Sequence, residues 1–208
     1  VKICGLNTPE SVRAVADSGA DYAGFNFYPR SPRGVTPAVA ASLASALPAR
    51  VRRVALVVDA DDGTLGAIVA ALRPGLVQLH GKETPERCRD IAGKFDTPVM
   101  KVLGVSAKDD LARADAYAGV VERVMFDAKP PQRPGALPGG NAVRFDWTIL
   151  AGASVALPWM LAGGLTPANV AEAIRISGAS EVDVASGVES APGVKSPKLI
   201  KEFVIRAR

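Results

Sequence analysis

The chain has 208 residues, 48% of them hydrophobic, which supports one compact domain over 1–208 and leaves too little material for two. Its formal net charge of +4 comes from scattered basic residues without a stripe or interleaved aromatics, which argues against nucleic-acid binding and suits a small anionic ligand. Two cysteines, Cys4 and Cys88, are too few for a disulfide framework and lack metal-ligand spacing, and no apolar run approaches a membrane span or a secretory leader, so a cytoplasmic protein without a metal is expected.

Strand-like runs alternate with helix-like runs along the whole chain. The strands fall at 1–4, 22–27, 53–58, 76–79, 99–103, 121–126, 156–161 and 181–184. Most are short and apolar on both faces, as buried parallel strands are. Thr8-Pro9-Glu10 opens the first helix with an N-cap, a proline at the first helical position and an acid in the first turn. Val12, Val15 and Ala16 then share one face, and Gly19 ends the run. Thr36-Pro37, Thr84-Pro85-Glu86 and Thr166-Pro167 are read as three further starts. The helix after the fifth strand is the weakest, because 106–114 has little periodicity. Eight strands alternating with helices predict an α/β fold, a (β/α)₈ TIM barrel, with an open doubly wound sheet as the alternative. Closure is favoured by a strand at the very start of the chain and by glycine-rich turns after the last two strands, where barrels often hold phosphate.

In such a barrel, chemistry belongs to the loops after the strand ends. Cys4 ends the first strand, where a thiolate would serve as a general base; the plain alternative is a small core residue. Asp127 ends the sixth, where partial desolvation would suit a carboxyl to act as an acid; the plain alternative is a loop cap. Lys129 follows two residues later. The run 128–144 is rich in proline and glycine, the composition of an active-site lid or of an ordinary surface excursion. Gly163-Gly164 and Ser186-Gly187 form two turns whose backbones would approach one phosphate. Arg33, after strand two, would clamp a carboxylate or face solvent. His80, the only histidine, cannot build a metal site alone and suits a structural or substrate-contacting role.

Taken in order, Lys2-Ile3-Cys4-Gly5, Phe27-Tyr28-Pro29-Arg30-Ser31-Pro32-Arg33, Gln78-Leu79-His80-Gly81, Phe126-Asp127-Ala128-Lys129, Phe145-Asp146-Trp147, Leu161-Ala162-Gly163-Gly164-Leu165 and Val182-Asp183-Val184-Ala185-Ser186-Gly187-Val188-Glu189 resemble the successive motifs of phosphoribosylanthranilate isomerases. The resemblance covers nearly the whole chain. It implies an Amadori rearrangement of N-(5-phosphoribosyl)anthranilate in tryptophan biosynthesis, without cofactor or metal. Asp127 would be the acid and Cys4 the base. Arg33 would meet the anthranilate carboxylate, Gly163, Gly164, Ser186 and Gly187 the phosphate, and Asp183 the sugar or the anilino nitrogen, with His80 lining the pocket. The partner is then a small phosphorylated substrate, bound by a monomer or homodimer, with no nucleic acid or membrane. The chain departs from the family at Ala142, where a second glycine is frequent, and at Ala185, where a small polar residue is common. A histidine-pathway sugar-phosphate isomerase, an indoleglycerol-phosphate synthase and a non-catalytic phosphate-binding barrel compete. The first uses a carboxylate at the place of Cys4, the second relies on lysines, and the third would not need the acid and base.

Overall fold

The computed structural model describes residues 1–129, 139 and 144–208. Most of the proline- and glycine-rich run after the sixth strand, including Ala142, lies outside the described residues. Eight parallel strands form the centre: β1 (Lys2–Cys4), β2 (Tyr22–Asn26), β3 (Arg52–Val57), β4 (Leu76–Leu79), β5 (Val99–Val105), β6 (Arg123–Ala128), β7 (Trp159–Leu161) and β8 (Asp183–Val184). They pair in the order β7-β6-β5-β4-β3-β2-β1-β8, and a parallel bridge between Leu161 and Val182 closes the ring. The fold is the expected TIM barrel. Strand limits differ from the sequence reading by a residue or two, and by three at the start of β7.

Two apolar layers hold it. Outward-facing strand residues such as Ile3, Ala55, Val77 and Phe126 pack under the helices, whose apolar faces they cover. Val54, Leu76, Met100, Met125 and Met160 fill the interior of the barrel. Among them stands a charged residue, Lys2, whose side chain is 0% exposed.

The outer layer is α1 (Pro9–Ser18), α2 (Pro37–Ala44), α3 (Asp62–Leu72), α4 (Pro85–Phe95), α5 (Val170–Ser177) and α6 (Pro197–Arg206). Thr8, Thr36 and Thr84 cap their helices as expected, each accepting a hydrogen bond from the backbone N–H three residues on. Thr166-Pro167 does not open α5 directly. Asn169 accepts from Thr166 N at 2.8 Å and donates to Gly164 O at 3.0 Å, so the chain folds into a turn before the helix begins at Val170. After β5 the chain forms a 3₁₀ helix, Lys108–Tyr117, rather than an α-helix. Only Leu111 and Ala114 are buried there, too little apolar surface to organise a longer amphipathic helix. A short antiparallel hairpin unforeseen in the sequence, β9 (Glu189–Ala191) with β10 (Val194–Lys195), follows β8 and is tied to the loop after β1, where Asn7 donates to Gly193 O at 3.0 Å.

Candidate active site

Because all eight strands are parallel, their C-terminal ends share one face, and the polar residues at those ends meet there. Cys4 ends β1, His80 directly follows β4, Asp127 lies near the end of β6 and Asp183 begins β8. These four and Arg33 border a single cavity.

Asp127 is held by its own loop and faces the histidine. Its Oδ1 accepts from Ala128 N at 2.8 Å, and its Oδ2 lies 3.4 Å from His80 Nε2. The other ring nitrogen, Nδ1, is 3.4 Å from Gln78 Nε2. Gln78 is itself buried and borders the cavity, two residues back on the same inward face of β4. Gly139 lies directly over this pair: a Cβ there would fall 2.6 Å from His80 Cε1 and 2.9 Å from Asp127 Oδ2.

Cys4 is 3% exposed. Burial pushes its thiol up from the ordinary value, and the neighbouring Lys2 pulls it back. Lys2 Nζ donates to Asp183 Oδ1 at 2.8 Å, inside the barrel.

Arg33 is buried rather than solvent-facing, and it is already engaged. Its Nε and Nη2 donate to the two oxygens of Glu189 at 2.7 and 2.8 Å, a bidentate fork. Glu189 also accepts from Lys195 Nζ at 2.7 Å and from Gly193 N at 3.1 Å. These contacts hold its carboxyl below the usual range against the effect of burial. Hairpin β9–β10 thus fixes Arg33 at the cavity wall, an arrangement different from the free clamp that the sequence suggested.

A second hollow adjoins the first and shares Asp127 and Asp183 with it. Gly163, Gly164, Ser186 and Gly187 border it. The two glycine turns touch. A Cβ on Gly187 would lie 1.8 Å from Leu165 O, so only glycine permits the approach. Gly163 has φ +92°, and its backbone packs against Ala128 N, beside the proposed acid. Ser186–Val188 is one turn of 3₁₀ helix, whose opening N–H groups lack partners within the turn and are free to face an anion. Lys129 also borders this hollow, but its ammonium is bound to Asp110 at 2.7 Å.

A family model described as N-(5'phosphoribosyl)anthranilate (PRA) isomerase matches residues 1–206. The chain belongs to the phosphoribosylanthranilate isomerase family. An N-(5'-phosphoribosyl)anthranilate isomerase from Paramagnetospirillum magneticum is 55% identical over 208 residues, covering 100% of this chain and 96% of the relative. Among solved structures, monomers of the dimeric phosphoribosylanthranilate isomerase from Thermotoga maritima align with TM-score 0.82 at 35% identity, covering 99% of this chain and 96% of that one. A phosphoribosylanthranilate isomerase in complex with reduced 1-(o-carboxyphenylamino)-1-deoxyribulose 5-phosphate aligns with TM-score 0.82 at 33% identity, again over 99% and 96%.

Within this isomerase-family barrel, every site residue expected from the sequence lies on one of the two joined hollows. The sequence reading did not single out Lys2, Gln78, Glu189 or Lys195. Lys2 and Gln78 carried a signal in the strand period, since each stands on the same face as a proposed site residue two positions on. Glu189 and Lys195 carried none, because their importance arises from a hairpin that folds back.

Proposed function

We propose that this protein catalyses the Amadori rearrangement of N-(5-phosphoribosyl)anthranilate to 1-(o-carboxyphenylamino)-1-deoxyribulose 5-phosphate, a step of tryptophan biosynthesis, with Asp127 as acid and Cys4 as base. One observation carries the reading. Cys4 and Asp127 border one cavity, and that cavity continues into a cradle made by two touching glycine turns. A sugar phosphate anchored in the cradle would extend its ring between acid and base. Its anthranilate end would lie toward Arg33.

The phosphate is bound by backbone of Gly163, Gly164, Ser186 and Gly187. Such groups suit a dianion because they donate hydrogen bonds without bringing a mobile counter-charge. Arg33 gives two donors to Glu189 and keeps its third nitrogen, Nη1, for the substrate carboxylate. Asp127 in its protonated form donates to the furanose ring oxygen, the C–O bond breaks, and the ring opens to a protonated Schiff base. Cys4 as thiolate removes the proton from the adjacent sugar carbon, giving an enolamine. The enol then loses its hydroxyl proton as the former anomeric carbon gains one, which leaves the ketone and restores both groups. His80 holds the Asp127 carboxyl in place, and Asp183 contacts the sugar or the anilino nitrogen.

The chain acts as one catalytic barrel, a monomer or homodimer in the cytoplasm. No helix among the described residues is long and apolar enough to cross a membrane. Fresh phosphoribosylanthranilate mixed with the pure protein should lose its anthranilate fluorescence at a rate proportional to enzyme. Unchanged fluorescence, with the compound still bound, would leave a binding barrel. Turnover of the histidine-pathway aminoaldose alone would assign the site to that substrate instead.

A further inference from the structure

The interior of this barrel is mostly apolar, with Gln78 a neutral exception and the Lys2–Asp183 pair a charged one. Val54, Leu76, Met100, Met125 and Met160 fill it, yet β1 begins with Lys2, whose side chain is 0% exposed. A buried ammonium is poor material for a core. Burying an ion is costly, and replacing a buried ion pair with apolar side chains of similar volume is often neutral or stabilising. Stability therefore does not account for a lysine here. Its position does: Lys2 and Cys4 are two residues apart on one strand and point to the same side. Lys2 Nζ donates to Asp183 Oδ1 at 2.8 Å, and its charge acts on the Cys4 thiol two residues on. Across the pair, β2 supplies Gly24, where a Cβ would fall 2.9 Å from Cys4 Sγ and 3.2 Å from Lys2 Nζ. Any larger residue would displace the thiol, the ammonium or both.

Resting on the reading of Cys4 as the base, we propose that Lys2 is its positioning residue: a fixed cation on the same face of β1 as Cys4, oriented by Asp183, that favours the Cys4 thiolate.

The surroundings agree in charge. Around Cys4 stand Lys2 on its own strand, Asp183 on β8, Lys195 and Glu189 on the hairpin, and Arg33 from the loop after β2; His80 and Asp127 face it from across the cavity. With Asp127 protonated as the proposed acid, Lys2, Arg33 and Lys195 against Asp183 and Glu189 leave one positive charge in excess, which a Cys4 thiolate neutralises. Burial lifts the thiol and the Asp183 carboxylate adds to the lift; of the groups that oppose it Lys2 is the strongest, followed by Lys195. Lys2 itself remains an ammonium, because Asp183 and Cys4 outweigh the effect of its burial. Once the thiolate has taken the substrate proton, the same cation eases the return of that proton.

The test uses a Cys88→Ser background, so that Cys4 is the single thiol, and compares iodoacetamide alkylation against pH with the pH profile of kcat. Lys2→Gln keeps a donor and removes the charge. The alkylation midpoint should rise by about one pH unit or more. The alkaline-going limb of kcat should rise with it, while KM changes less than about threefold. Lys2→Arg should restore most of the original midpoint. An unchanged midpoint in a folded Lys2→Gln protein overturns the proposal. A midpoint that moves while the kcat limb stays fixed upholds the hold of Lys2 on the thiol and removes Cys4 from the base role. Should Lys2→Gln fail to fold because Asp183 is left unpaired, Asp183→Asn is compared with Lys2→Gln/Asp183→Asn. Neither has an orphaned carboxylate, and the double variant should have the higher midpoint; equal midpoints overturn the proposal.

Discussion

The two ends of this barrel are both lined with charge, and they are built to opposite rules. At the N-terminal end, Arg52 forks onto Glu122 with two contacts of 2.7 Å. Arg123 bridges Glu122 and Glu181 while its guanidinium lies 5.5 Å from the Tyr22 ring centre. Two cations meet two carboxylates and the circuit closes. At the C-terminal end, Lys2, Arg33 and Lys195 meet Asp183 and Glu189, and with Asp127 protonated as the proposed acid one positive charge is left over beside a thiol and a cavity. A closed circuit is a plug. An open one suits an anion, either the Cys4 thiolate of the proposed mechanism or the carboxylate of the proposed substrate.

The sharpest way to break this contrast is to remove the proposed acid and the proposed base. Cys4→Ala and Asp127→Asn should each lower kcat by on the order of 10²-fold or more with the fold intact, as measured by fluorescence turnover and circular dichroism. Near-normal turnover in either variant would remove that residue from the mechanism and leave the open charge without a purpose. Next in size is the contact between the two glycine turns proposed to hold the phosphate. Gly187→Ala places a carbon 1.8 Å from Leu165 O, so the backbone must shift. A loss of about 1–3 kcal/mol of stability is expected from such overpacking. Parting the turns should also raise KM about tenfold through weakened amide donation to the phosphate. A KM unchanged for substrate would place the phosphate elsewhere.

The fold was legible from the start, because its signals are local. Short apolar runs, Thr-Pro helix starts and closing glycines are read within a few residues of one another, and the eight strands fall where they should. Thr166-Pro167 misled because a side chain three residues later, Asn169, competes for the same backbone groups. The site was legible in part. Cys4, Asp127 and the glycine turns are at strand ends, which topology alone brings together. Arg33 was found, but its engagement was not, since Glu189 lies 156 residues away and reaches it through a hairpin that no periodicity announces. Lys2 stood in plain view at the second position of the chain. The strand period puts it on the same side as Cys4, but nothing in one strand says that its charge is met by Asp183, 181 residues away.

The smallest expected effect is at the plug, and it tests whether the two ends are independent. Glu122→Gln leaves the Arg52 fork without its charge. The two side chains are 29% and 30% exposed, so water screens the pair and the loss should be about 0.5–1 kcal/mol. That is a fall of a few degrees at most in Tm for a chain of this size. The contribution has a sign in pH. Arg52 holds the Glu122 carboxyl below its ordinary value. The stabilisation is therefore complete above the unfolded-state value of about 4.3 and is lost as pH falls through the lower folded-state value. Parent and variant should differ at neutral pH and converge in acid, as thermal melts across pH will show. Their kcat and KM should agree within about twofold, because a balanced circuit on the opposite face projects little field through a packed core. A larger change in kcat would mean that the plug holds the strands in the register the site needs, and the division between a closed end and an open end would fail.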